Sequence, residues 1–320
     1  MANERLTVGL TALFDPRRTA HARTFLRGIA VAINSLPEVA AMRFLLADDG
    51  AAGPRAVEVA EGFVRDGVDL VIGHFSSDAA LSAADVYERH GVPLLLPAST
   101  ASRVTHGRTA TFRLCPSDAL LARRLVGFVT AEGWTRISVE EDTSLHGRLL
   151  AEEIRTEATS AGLALAEGPW AADAAVFAGR LGASAGHLAR LRADGYRRPI
   201  VLTDDAVAPE LTAGLPDPGE LVVIGFAAAS MVEGATAAAG AHRLSFGEEP
   251  AVYFLETVAA LSIAAQLSRT RGDHPERLRN GCFPTVLGDV SFANGECRNQ
   301  PHAVWRPRGG RLEPTRLLTG

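Results

Sequence analysis

The sequence predicts an open α/β layer structure, and three observations carry that prediction. Short runs rich in Val, Leu and Ile alternate with segments of helical period, the runs are apolar throughout, and Gly, Asp and Pro punctuate their ends. A strand that is apolar at every position is buried on both faces, which calls for a parallel sheet covered by helices. In order, strand Leu6–Phe14 leads to helix Ala22–Asn34, strand Arg43–Asp48 to helix Pro54–Arg65, and strand Asp69–Phe75 to helix Ala79–Arg89, with strand Val92–Pro97 next. Proline or aspartate near the helix starts and glycine near their ends (Gly67, Gly91) follow the usual asymmetry of caps.

A second set of the same kind begins after Cys115-Pro116-Ser117-Asp118. Its strands are Arg136–Glu140, Ala174–Ala178, Pro199–Thr203 and Leu221–Phe226, with helices at Ala119–Ala131, Arg148–Ala161 and His187–Ala193. Each set holds a helix ending in Asp-Gly before a strand (Asp66-Gly67 and Asp194-Gly195), a hint of two similar lobes. The stretch Ala227–Ala241 is nearly all small residues and reads as a connection. A long apolar helix follows at Ala251–Leu267, then strands Thr285–Phe292 and Ala303–Trp305, joined through the turn Asn294-Gly295.

Composition narrows the function. At 320 residues the chain exceeds one compact core, so about two domains are expected. Thirty-two basic against 37 acidic residues leave a net charge of −5, without the basic stripe that a duplex-binding surface uses. Every basic residue is arginine, and the lack of lysine excludes a Schiff base, a pyridoxal phosphate anchor and a P-loop lysine. No run approaches the roughly 18 apolar residues of a membrane helix. The start Met1–Arg5 runs straight into the first strand without a secretory leader, so the expected compartment is the cytoplasm, or the periplasm or cell surface if a leader has been removed. Cys115, Cys282 and Cys297 form no C-x-x-C, and the nine histidines show no H-x-H or H-E-x-x-H spacing, so neither zinc nor a disulfide framework is expected. No G-x-G-x-x-G follows the first strand, which removes the dinucleotide loop.

In such sheets ligands bind outside the carboxyl ends of the strands. Those ends read His74-Phe75-Ser76-Ser77-Asp78 and Pro97-Ala98-Ser99-Thr100 in the first set, and Asp142–His146, Gly179-Arg180 and Thr203-Asp204-Asp205 in the second. Hydroxyls and backbone amides at a helix start suit a carboxylate. Simple capping by Ser77 and by Ser99 or Thr100 is the plainer alternative. Asp204 could receive an ammonium group, or be a solvated turn residue like Asp205 beside it. Gly182-Ala183-Ser184-Ala185-Gly186 matches the nucleophile elbow G-x-S-x-G between a strand and a helix, but Arg180-Leu181 intervene and no H-G-G-G segment precedes it. In a chain rich in Ala and Gly, a small-residue helix start is the plainer reading.

The block Val71–Thr105, with I-G-H-F-S-S, D-V-Y-E-R-H-G-V-P and L-L-P-A-S-T, resembles the leucine/isoleucine/valine-binding protein family of type I periplasmic binding proteins. The first strand with the helix ending Ala30–Asn34, the segment Thr111–Asp118 (T-F-R-L-C-P-S-D), His146-Gly147 and the tail Thr285–Glu296 extend the likeness along most of the chain. The resemblance implies two Rossmann-like lobes joined by three crossing strands and closing on an amino acid or a close derivative. The lobes would be residues 1–117 with 247–283 and residues 118–246 with 284–320, hinged near Pro116, Leu244–Phe246 and Pro284.

It also implies that Ser77, Thr100 and the backbone at Ala98, with Ser76 and Ser99 in the same loops, hold the ligand's carboxylate and amino groups, and that Asp204 takes the ammonium. Where the family commonly carries aromatic rings over the ligand, this chain has His21, His146 and Arg180, which suggests a polar or acidic ligand; pairing of Arg180 with Asp204 or another acid is the alternative. Tyr87, Tyr196 and Tyr253 read as packing. No cofactor, metal, nucleic acid or membrane insertion is implied. A partner would be an ABC permease or, for an intracellular sensor or biosynthetic accessory protein, a regulatory protein. An enzyme that has recruited the cleft is the remaining rival, with His21 or His146 as acid/base or Ser184 as nucleophile.

Overall fold

A computed structural model describes residues 5–19, 21–208, 211–212, 218–269, 272–298 and 301–318. Along the chain, β1 (Thr7–Ala12) is followed by α1 (His21–Ser35) and the single turn α2 (Pro37–Ala40), β2 (Arg43–Asp48) by α3 (Gly53–Arg65), and β3 (Leu70–Gly73) by α4 (Ser77–His90). β4 (Leu94–Leu96) leads to β5 (Thr111–Arg113). Then come α5 (Asp118–Ala131), β6 (Arg136–Glu141), α6 (Leu145–Ser160), β7 (Ala164–Leu165), β8 (Ala174–Ala178), α7 (Leu181–Ala193), β9 (Ile200–Leu202) and β10 (Leu221–Phe226). The last part holds α8 (Thr236–Phe246), α9 (Phe254–Ser268), α10 (His274–Asn280), β11 (Phe283–Thr285), β12 (Gly288–Val290), β13 (Phe292–Ala293), β14 (Glu296–Cys297), β15 (His302–Arg308) and β16 (Arg311–Leu318).

The chain divides into two compact units, Met1–Cys115 with Ala228–Gln300 and Pro116–Ala227 with Pro301–Gly320. The first holds a sheet in the order β13-β14-β5-β4-β3-β1-β2, the second one in the order β16-β15-β10-β9-β8-β6-β7. The α/β class read from the sequence is the observed one, and the two sheets repeat one plan. In the first, β1 pairs in parallel with both β2 and β3, and β4 follows β3; in the second, β6 pairs with both β7 and β8, and β9 follows β8. The order of strands therefore reverses at β1/β3 and again at β6/β8, and ligands of open α/β sheets bind at such reversals.

Continuous apolar runs are explained by the cores. In the first unit Leu70, Ile72, Leu95 and Phe112 face α1 and α9, while Val71, Leu94 and Leu96 face α3 and α4. α9 is buried on nearly every side, as a helix that is apolar all round must be. In the second unit Ile137, Val139, Val176, Val201 and Ile224 pack against α5 and α6.

Two expectations fail here. The stretch 227–241 is not simply a connection, because α8 begins inside it at Thr236. α8 belongs to the first unit: Ala235 and Ala238 pack with Val31 of α1 and with Phe254, Leu255 and Val258 of α9. The chain thus passes between units at 115/116, 227/228 and 300/301, not near Leu244–Phe246 or Pro284.

Asn294-Gly295 joins β13 to β14, with both residues at positive φ (52° and 77°) as a tight hairpin turn needs. The expected strand 285–292 breaks into hairpin β11–β12 and then β13, and Phe283, Val290 and Phe292 insert into the first unit's core. Ala303–Trp305 lies in the other sheet, between β10 and β16.

Candidate functional site

Each unit gathers its candidate residues at the carboxyl ends of its own parallel strands. In the first unit the β3–α4 turn is bent by two unusual residues. Gly73 has φ +146°, and a Cβ there would lie 2.0 Å from the Thr11 carbonyl oxygen, so no other residue fits. His74 follows at φ +53°, rare outside glycine. A buried network holds it there: its backbone N–H donates to the Thr11 oxygen (2.9 Å), Nδ1 lies 2.9 Å from Asp49 Oδ2 and Nε2 3.0 Å from the Tyr87 hydroxyl. Burial, and then the charge of Asp49, raise the pKa of the Tyr87 phenol. The phenol therefore stays protonated, and the His74 ring bridges it to the Asp49 carboxylate.

Beyond this bend, Ser76 is the N-cap residue of α4 and Ser77 its first helical residue. Capping does not account for them. Ser117 and Ser144, in the same position on α5 and α6, accept from Leu120 N (3.2 Å) and Gly147 N (3.0 Å), whereas Ser76 makes no side-chain cap bond. Among the described residues its Oγ is buried without a hydrogen bond, and so is Ser99 Oγ in the β4 loop beside it. A buried hydroxyl left without a partner costs about 1–3 kcal/mol. Ser77, Ala98 and Thr100 are buried in the same two loops. His21 opens α1 after β1, half-buried, with its ring edge-to-face on Tyr253 at 4.9 Å. Phe75 meets Tyr253 at 5.8 Å and Phe25 at 4.6 Å, and Phe14 stacks on Phe25. Tyr253, read from the sequence as packing, is buried in this ring cluster, held at φ +70° as the N-cap of α9.

In the second unit, Asp142 ties two loops together. Its Oδ1 accepts from Ser144 N and Oγ (3.0 and 2.5 Å), and its Oδ2 from the backbone N–H of Arg180 (2.9 Å). A Cβ at Gly147 would lie 2.2 Å from Asp142 Oδ1, which explains the glycine in His146-Gly147. The loops after β6 and β8 thereby hold His146, buried in the first turn of α6, and Arg180, exposed as N-cap of α7. Asp204 begins a 3₁₀ turn after β9 and is 1% exposed, with Oδ1 3.9 Å from His146 Nε2. Neither of its carboxylate oxygens makes a hydrogen bond among the described residues, and Thr203 Oγ1 beside it is buried in the same state.

The electrostatics of this half are anionic. Burial opposes charge on His146, but the fields of Asp204, Asp118, Asp205 and Asp142 outweigh it and raise its pKa to about 9. Burial raises Asp204 to about 7 against the pull of His146, with Asp205 and Asp118 adding to the rise. Sequence reasoning did not single out Asp118, the fully buried first residue of α5. An aspartate just inside a helix start reads as an ordinary first-turn residue, and its inward face is settled only by packing. The positive charge on His146 is engaged by these carboxylates, so it does not supply the argument for an acidic ligand drawn from the sequence.

Ser184 lies in the first turn of α7, buried, with Oγ donating to the Gly179 oxygen at 3.1 Å, as a helix-start serine and not an exposed nucleophile. The described residues hold no cluster of three metal-ligating side chains, and no described helix is long and apolar enough to cross a membrane.

Against known proteins, residues 42–184 match the family described as periplasmic binding protein. A Leu/Ile/Val-binding protein homolog of Brucella abortus (strain 2308) is 26% identical, over 95% of this chain and 91% of its own length. Among solved structures, a leucine-binding protein from Thermotoga maritima MSB8 superposes with a TM-score of 0.87 at 20% identity, covering 98% of each chain. An ABC-transporter substrate-binding protein from Desulfitobacterium hafniense, solved in complex with Leu, gives 0.83 at 23% identity, over 98% of this chain and all of its own. Sequence and backbone agree: this chain has the two-lobed α/β fold of the type I periplasmic binding proteins and resembles, along nearly its whole length, the Leu/Ile/Val-binding proteins.

Proposed function

We propose that the chain binds a free α-amino acid as a substrate-binding protein of the branched-chain amino acid ABC-transporter type. The first unit would take the carboxylate, through Ser77, Thr100, the backbone at Ala98 and the hydroxyls of Ser76 and Ser99; the second would take the ammonium at Asp204. One observation carries the reading. Among the described residues, buried polar groups without a hydrogen bond stand at corresponding strand ends of both sheets, hydroxyls alone on one (Ser76, Ser99) and a carboxylate beside a hydroxyl on the other (Asp204, Thr203). Hydroxyls and helix-start amides suit an anion, and a buried carboxylate suits a cation. A zwitterion supplies both.

The units would close on the ligand by turning about the three crossings, and a permease would receive the closed form. His146 serves as the imidazolium that keeps Asp118 and Asp204 from repelling each other, so selectivity falls to the ring cluster of His21, Phe75 and Tyr253, which suits an apolar side chain. Raised to about 9, His146 is already protonated at neutral pH and is a poor general base, which speaks against the enzymatic alternative.

The test is a thermal-shift screen across the amino acids, repeated with Ser77→Ala and Asp204→Ala. A ligand at a hundred times its Kd stabilises the native state by about 2.7 kcal/mol. A shift with amino acids that both variants lose supports the reading. Silence across the panel, with folded protein, overturns it.

A further inference from the structure

We propose that Arg113 and Glu296 are the positioning pair for the binding site, fixing the Ser99–Ala101 turn so that its amides face the ligand. This rests on the reading that the β4 loop receives a carboxylate. Arg113 ends β5, next to β4, and its side chain is 1% exposed. One of its nitrogens, NH1, donates to three successive carbonyl oxygens: Ser99 at 3.5 Å, Thr100 at 2.9 Å and Ala101 at 2.6 Å. In a trans peptide the N–H points opposite to the C=O. Gathering these three carbonyls on one guanidinium therefore turns the N–H groups of Thr100, Ala101 and Ser102 to the other side of the turn.

The guanidinium is itself held. Nε donates to Glu296 Oε2 at 3.0 Å and NH2 to Glu296 Oε1, the two-pronged geometry that only arginine offers. Thr105 Oγ1 donates to the same carboxylate (2.5 Å), and the Arg113 backbone N–H donates to the Gly295 oxygen (2.7 Å). Arg113 and Glu296 are register partners between β5 and β14, so the short hairpin β13–β14 exists at the place that carries the counter-charge. Glu296 also lies on the segment that leaves the first unit at 300/301, which links the ligand turn to a crossing strand.

Arg113→Lys keeps the charge and loses the fork. An Arg113→Met/Glu296→Met double variant removes both charges together, so that neither is left buried alone. Two readouts separate positioning from mere structure. Amide hydrogen exchange in the ligand-free protein is expected to accelerate at least tenfold at Thr100 and Ala101 in both variants, with much smaller changes in β1 and α9. Binding of L-leucine, measured beside L-leucinamide, is expected to lose at least fivefold of its preference for the free carboxylate.

A folded double variant with wild-type exchange in the turn and wild-type preference overturns the proposal. So does acceleration spread evenly over β1 and α9. If wild-type protein binds neither probe nor any amino acid, the functional reading fails, while the exchange measurement still decides whether the pair positions the turn.

Discussion

Replacing Asp204 by Asn should separate function from stability in opposite directions. The carboxylate is 1% exposed, makes no hydrogen bond among the described residues, and stands 3.9 Å from His146 Nε2. Breaking one partner of a buried, hydrogen-bonded charge pair costs about 2–5 kcal/mol. Solvent does not screen this site, so about 3 kcal/mol or more is expected. At about 1.4 kcal/mol per decade that is a loss of roughly 100-fold or more in affinity.

The ligand-free protein should respond the other way. Asp204 has its folded-state pKa raised from 3.8 to about 7. The stability this group contributes is therefore present below pH 4 and lost as pH rises through 7, so at pH 8 the ionised carboxylate is a net cost that Asn removes. Titration calorimetry with the best amino acid, beside urea unfolding at pH 8, reads both sides. Wild-type affinity in D204N refutes the assignment, and so does a loss of stability without a loss of affinity.

Other outcomes follow from the same geometry. Amino-acid affinity should rise between pH 5.5 and 8 as Asp204 ionises, and become flat in that window in D204N; calorimetry across pH checks both profiles. His146→Gln removes the group that lowers the Asp204 pKa, so the midpoint of that rise should move to higher pH. Ser99→Ala and Ser76→Ala delete buried hydroxyls that make no bond among the described residues, so each should leave stability unchanged or slightly higher while weakening binding several-fold, about 0.5–1.5 kcal/mol. Ser117→Ala, which deletes a working cap, should show the reverse, losing about 1 kcal/mol of unfolding free energy with unchanged affinity. Ser184→Ala should leave ligand affinity at the wild-type value, its hydroxyl being bonded to the Gly179 oxygen.

The parts of the fold that the sequence states plainly are those in which burial is two-sided. Ala174–Ala178 and Leu221–Phe226 read directly as strands, both as unbroken apolar runs buried at every position, and the helices between the strands carry a periodic face. α8 escaped because TAAAGAHRLSF marks no face: alanine fits a core or a surface equally well, and only contact with Val31 and Phe254 decides. β16 escaped because it is an edge strand whose Arg311, Glu313, Pro314 and Arg316 read as a tail.

Ser77, Ala98, Thr100 and Asp204 are legible as candidates because they lie in loops after parallel strands and the resemblance to the Leu/Ile/Val-binding proteins points to the same positions. Asp118 and Tyr253 are not, since one needed the packing of a helix start and the other a left-handed N-cap far along the chain. The meaning of His146 also changed, because its charge is set by carboxylates from its own loop and from two other segments.

The most direct test of the central claim is calorimetric comparison of one amino acid with its amide and its N-acetyl derivative on wild-type protein. If the first unit takes the carboxylate and the second takes the ammonium, only the free zwitterion binds tightly, and masking either end weakens binding at least tenfold. Equal binding of either capped derivative would show that the matching half-site does not hold the group assigned to it.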